Sequence, residues 1–351
     1  MAIVYDGVVT PDDLIDFVRE VPTPAEFMLD QILPNVYIDS NEVDVTELTR
    51  TNRTARFRAF DANLHRARRD VGTLRTVTLP PLSDTLTMGE YERLKIQFAR
   101  TGGTRTEALT QAVYNDAQTL TGYVINRMEQ ARGDVLTDGK FSLINEGGLT
   151  LEADFQVPAG NFVTAAVLHS HTDTDGNYDA DVLGDIFTWT KAYTATAGFA
   201  PGGMWVSIDT LALWLANIKL RNAAGNLLGP AAFLAREQLD QALRARGLPP
   251  IEGVYDAQVD VDDVSVRITP VNKVYFVPPK THQLGRTVWG VSATALELVD
   301  SSEADFAFEN APGIVGVVEK VGPPYREFTF VDAVGMPIID RPRALMVATV
   351  A

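Results

Sequence analysis

The chain contains no cysteine, and that absence removes disulfides, thiolate nucleophiles and cysteine-bound zinc together. Apolar runs are short. Nothing approaches the roughly 18 residues that a membrane-spanning helix needs, so no span is expected. The opening Met1-Ala-Ile-Val-Tyr-Asp6 has neither a basic start nor an apolar core, so no secretory signal is expected. Histidine is scarce, with His65, His169, His171 and His282 the whole supply, and no Gly-x-Ser-x-Gly turn presents a nucleophilic serine. Thr101-Gly-Gly-Thr104 lacks the Gly-Lys-Ser/Thr ending of a nucleotide loop, so a plain turn into a helix is the better reading. No catalytic residue and no cofactor is expected.

What remains is an ordinary globular composition, 46% hydrophobic and 22% charged over 351 residues, enough for two or three compact units. The formal net charge of −16 argues against a specific nucleic-acid reader, which would carry a basic face. The charge is unevenly spread. Residues 1–49 hold eleven acids against the single Arg19. Residues 50–75 then hold eight arginines (Arg50, Arg53, Arg56, Arg58, Arg66, Arg68, Arg69 and Arg75) against Asp61 and Asp70. Such clustered arginines can bind phosphates. They can also form bidentate pairs with carboxylates of neighbouring copies, and the acidic segment before them supplies such a surface. The second reading is preferred.

Periodicity divides the rest. Residues 1–49 read as an extended arm with a short helix near Pro11–Glu20, too poor in apolar residues to fold by itself. From Arg50 to about Pro81 a period of two predicts a long two-stranded excursion. Thr104 and Glu107 have capping-box spacing. Behind them Leu109, Val113, Ala117, Leu120, Val124, Met128, Ala131 and Val135 form one stripe, predicting a helix over about 104–137 that stops at Asp138-Gly139. Residues 140–157 read as a hairpin turning at Gly147-Gly148. A mixed segment follows over 180–275. It holds a helix from Asp179 or Asp181, a strand Met204–Ile208, a helix capped by Asp209 through Ile218, a helix from Pro230, and strands at Val259–Ile268 and Val274–Val277. Strands dominate from Thr287 onward. The fold class expected is α+β.

One stretch suggests chemistry. In His169-Ser-His171-Thr-Asp173-Thr-Asp175-Gly176-Asn177 the alternation could place His169, His171 and Asp173 on one side as metal ligands, the basis for a metal-dependent hydrolase. The spacing fails the EF-hand pattern, which needs its glycine sixth and a glutamate twelfth. A polar loop is the simpler reading.

The order of elements resembles the HK97-fold major capsid proteins of tailed bacteriophages, and within them the lambda-type phage major capsid protein E family. Two stretches carry the resemblance by residue. Arg132-Gly-Asp-Val-Leu-Thr-Asp-Gly-Lys-Phe141 is similar to the family's junction between spine helix and hairpin. Pro324-Tyr-Arg-Glu-Phe-Thr-Phe-Val-Asp-Ala-Val-Gly-Met-Pro-Ile-Ile-Asp-Arg-Pro342 is similar to its C-terminal strand and the aliphatic-Asp-x-Pro segment after it. The resemblance implies a homo-oligomer of hexamers and pentamers in an icosahedral shell that begins as a procapsid. The implied partners are a portal protein, a scaffolding protein, a decoration protein in some relatives and packaged double-stranded DNA held without specificity. The virion would be its site, after synthesis in the host cytoplasm.

Residues 1–49 would be the N-terminal arm and 50–81 the extended loop. Residues 82–179 with 276–351 would form the peripheral domain, and 180–275 the axial domain. Because the sequence begins near the arm, scaffolding is expected to be a separate or removed chain. Some relatives staple subunits through a lysine on the extended loop. The seven lysines here lie elsewhere, at 95, 140, 191, 219, 273, 280 and 320, so self-crosslinking is not expected. An encapsulin, sharing the fold but enclosing bacterial cargo, is the alternative reading.

Overall fold

The computed structural model describes residues 9, 11–46, 74–98, 105–224, 234–261, 263–301 and 308–351. In chain order it begins with α1 (Pro11–Glu20), β1 (Asn35–Tyr37), β2 (Glu42–Thr46), β3 (Leu74–Thr78), β4 (Pro81–Met88), α2 (Glu90–Phe98) and the long α3 (Arg105–Asp138). The hairpin β5 (Lys140–Glu146) and β6 (Leu149–Asp154) follows, then β7 (Phe162–Thr164), α4 (Val182–Ala197), β8 (Gly203–Val206), α5 (Ile208–Ala216), α6 (Ile218–Ala223) and α7 (Arg236–Ala245). Next come β9 (Ile251–Val254), β10 (Gln258–Val261), β11 (Val264–Arg267), β12 (Lys273–Val277), β13 (Gly285–Trp289) and α8 (Ala293–Val299). The chain returns through β14 (Val315–Val321), β15 (Arg326–Ile339) and β16 (Met346–Thr349).

These elements fall into two compact units. The first comprises Met1–Val43, Val77–Arg132 and Thr287–Pro337. Its sheet runs in the order β1-β13-β15-β14, with β4 also pairing β15. The stripe read from the sequence is its core. Val113, Ala117, Leu120, Val124 and Met128 of α3 pack with Leu14 and Val18 of α1 and with Trp289, Val318, Val331 and Ala333 of the sheet. All eight stripe residues, from Leu109 to Val135, are buried. Helix α1 explains itself the same way. It spans the residues the sequence predicted, turns Leu14, Ile15 and Val18 inward and leaves Asp13, Asp16 and Glu20 outside.

The second unit comprises Asp44–Thr76, Gly133–Arg286 and Ile338–Ala351. Its sheet has the order β7-β16-β12-β8-β9, beside the two-stranded pairs β5-β6 and β10-β11. Strand β16 lies inside, parallel to β7 and antiparallel to β12. Helix α4 starts where the sequence expected, with the Asp181 carboxylate accepting from the Gly184 amide at 3.1 Å. The first hairpin turns at Gly147-Gly148, both in the left-handed region at φ 57° and 86°.

Several boundaries differ from the sequence reading. The cap of α5 is Ser207, whose hydroxyl accepts from Thr210 N at 3.1 Å, and Asp209 lies inside the helix paired with Arg267. Helix α5 does not continue to Ile218. Asn217 leaves helical conformation and caps α6, taking the Leu220 amide on its side chain. Helix α7 begins at Arg236 and not at Pro230, because Leu234 is held to Leu215 by a backbone bond and Ala235 N donates to Gln238. Residues 225–233, with Pro230, lie outside the described residues. The expected excursion is described only at its base, where β2 pairs β3; β2 starts at Glu42, inside the stretch read as an arm. The capping box expected at Thr104 falls outside the described residues. Strand β4 and helices α2 and α8 have no counterpart in the sequence reading.

Candidate functional site

Seven of the eight candidate arginines (Arg50, Arg53, Arg56, Arg58, Arg66, Arg68 and Arg69) lie outside the described residues. Arg75 lies in β3, and of it the backbone alone is described. Its neighbour Thr76 donates a hydroxyl bond to Asp44 of β2 at 2.7 Å.

The residues grouped as a metal trio are drawn to three separate partners. His169 is buried. It accepts from the Trp214 indole N–H through Nδ1 at 2.8 Å, while its Nε2 faces the Asp185 carboxylate at 3.1 Å. An indole nitrogen can only donate, so Nδ1 must be bare and the ring neutral, with its proton on Nε2. Burial pushes the His169 pKa down from 6.5, against the opposing pull of Asp185. Trp189 stacks over the ring at 6.0 Å between centroids. The His169 amide donates to Val350 O at 2.6 Å, so this one residue ties α4, α5 and the end of the last strand together.

His171 is exposed and pairs with Asp179 at 2.7 Å. Asp173 turns back on its own loop, accepting from the amides of Asn177 and Asp175 at 2.9 Å each. Those bonds, Asn177's first, hold its carboxyl below the usual range. Among the described residues no group of three or more His, Asp or Glu side chains converges as metal ligands would. His171 and Asp173 stay on a surface loop while His169 is drawn into the core, so the three side chains do not converge.

A polar cluster that the sequence did not announce sits in the first unit. Glu129 and Arg132 are both buried and pair at 2.8 Å across one turn of α3. The other Glu129 oxygen accepts from Leu29 N at 2.9 Å. Arg132 also donates to Thr287 Oγ1 at 2.9 Å and Asn35 Oδ1 at 2.6 Å. The Thr287 hydroxyl donates to Leu33 O at 2.8 Å, and Trp289 Nε1 also donates to Asn35 Oδ1 at 3.0 Å. The network fastens residues 29–35 to α3 and β13. Its one visible sign in the sequence is a Glu-x-x-Arg pair, each member one residue after a stripe position, Met128 and Ala131.

A model of the family described as phage major capsid protein E matches residues 10–350. No curated protein matches at a significant level. Among solved structures, a crystal structure from E. coli CFT073 described as a prophage capsid protein is 14% identical. The match covers 98% of this chain and 99% of that one with a TM-score of 0.64. A phage-related protein from Bordetella bronchiseptica RB50 is 13% identical, with 99% and 98% covered and a TM-score of 0.55. At such identities the likeness is one of fold.

Proposed function

The chain belongs to the phage major capsid protein E family and is a shell-forming α+β capsid protein of the HK97-like fold, and we propose that its copies close the shell as hexamers and pentamers. The match over residues 10–350 carries this reading. It also favours a phage shell over an encapsulin. Capsid proteins of this family are structural, and the separate partners of His169 and His171 give no support to a hydrolase.

On this reading residues 1–49 form an arm, 50–81 an extended loop, 82–179 with 276–351 the peripheral domain and 180–275 the axial domain at the capsomer centre. Arg50, Arg53, Arg56, Arg58, Arg66, Arg68, Arg69 and Arg75 pair with carboxylates of adjacent copies. A net charge of −16 suits a wall that repels packaged DNA and lets it move. A portal protein, a scaffolding protein and in some shells a decoration protein complete the set, with synthesis in the host cytoplasm and residence in the virion. No helix among the described residues is long and apolar enough to cross a membrane.

Electron microscopy of the purified protein, with scaffold where needed, tests the reading directly. Closed shells are expected; a protein that stays monomeric in every assembly condition overturns it. Replacing Arg66, Arg68 and Arg69 by glutamine separates the two uses of the arginines. Assembly that fails or becomes salt-sensitive supports pairing between copies, since screening weakens exposed charges. Normal shells that package less DNA point to phosphate binding.

A further inference from the structure

We propose that the hairpin β10-β11 is a contact between copies, its valine face seated in the shell on the outer face of α4 of a second copy of this chain. The proposal rests on the shell-forming reading. The register sets Val259 opposite Val266 and Val261 opposite Val264. Directly opposed residues share a face and so do alternate residues along a strand, so all four valines lie on one side. Gln258, Asp260, Ser265 and Arg267 lie on the other.

Three of the four residues on the polar side are partnered within the chain. Ser265 donates to Gln258 at 3.1 Å, and Arg267 reaches Asp256 at 2.8 Å and Asp209 at 3.2 Å. The valine side is not. Val259 is 6% exposed at the base, but Val266, Val261 and Val264 are 37%, 38% and 61% exposed. A lone two-stranded hairpin is marginal in water, and strict alternation of this kind belongs to a strand pair with one covered face.

Size and chemistry identify the cover. A free-standing complex buries about 1,200–2,000 Å² in total, far more than eight residues offer. The face can therefore serve only as one contact among several, repeated around an assembly of identical chains. The same chain has a surface to match. On α4, Phe187 is 60% exposed, and Lys191, one turn on, is exposed beside it. The hairpin presents valines next to the acidic turn residue Asp263; α4 presents an aromatic ring next to a cation. Two different patches meeting head to tail generate a ring when the rotation closes.

The cysteine-free chain makes the test clean. Val264→Cys and Phe187→Cys chains are prepared separately, co-assembled in equal amounts, checked for shells by electron microscopy, oxidised and run on a non-reducing denaturing gel. Dimers are expected from the mixture and not from either variant alone. Shells that yield no dimers overturn the contact while leaving the shell reading intact. Dimers from Val264→Cys alone mean that hairpins meet one another, which also overturns it. Absence of shells in both the mixture and the wild type overturns the shell reading and the contact together.

Discussion

In the first unit α3 is tied to the early residues by charge; in the second, α4 and α5 are tied to the last strand by a neutral ring. Both clusters are buried, and both reach across long stretches of sequence. Their failure modes differ. The Glu129–Arg132 pair has already met the desolvation cost of two ions, so removing one partner strands a buried charge. His169 carries no charge, so its loss strands dipoles, and burial sets its proton equilibrium below the usual imidazole value.

The largest expected effect breaks the ionic cluster. Arg132→Ala should cost about 3–5 kcal/mol in urea unfolding of the unassembled chain. Combining Arg132→Met with Glu129→Leu should cost less than the two single losses summed, because no lone charge remains. Additive losses would mean that each side chain acts through its own outer partners, Leu29 N for one and Asn35 and Thr287 for the other. The next effect breaks the neutral cluster. His169→Phe fills the space but leaves the Trp214 N–H and Asp185 without their partner, at a cost of about 1–3 kcal/mol.

Acid sharpens the contrast. Burial holds the folded pKa of His169 below 6.5. Above pH 6.5 both folded and unfolded chains leave the ring neutral, and its contribution is complete. As pH falls through 6.5 the unfolded chain takes up the proton first, so stability declines until the folded pKa is passed. A protonated ring would also set an N–H against the Trp214 N–H. Urea midpoints measured from pH 8 to 5 should slope less in His169→Phe than in the wild type. Parallel curves would assign the slope to other groups. The smallest expected effect is at the start of α4, where Asp181→Ala should cost about 1 kcal/mol and Asp181→Asn much less, by thermal unfolding.

Sequence periodicity carried far where structure is local. The stripe from Leu109 to Val135 lies on one helix, and its burial follows from spacing alone. The Gly147-Gly148 turn and the Asp181 cap are equally local. Reading failed where a distant residue decides. The stretch read as a polar loop is one at His171 and Asp173 but not at His169, which Trp214 and Asp185 draw inward. Asn217 ends α5 against an apolar pattern that runs on through Ile218, since its side chain caps the next helix and also donates to Ala180 O. The Arg132 cluster was hidden because Asn35 and Thr287 lie 97 and 155 residues away.

Strand β16 sets the order in which the chain can be finished. It fills the gap between β7 and β12, supplying to both neighbours the backbone groups they need. A ribosome adding about 5–20 residues per second delivers β7 and β12 well before residue 346 exists. Until then the second unit holds two unpaired strand edges facing one empty slot. A chain cut short anywhere before Met346 lacks the strand that joins β7 to β12 and the Val350 carbonyl that the His169 amide bonds, and so lacks the complete five-stranded sheet. Completion of the second unit's sheet is thus tied to the last strand of the chain.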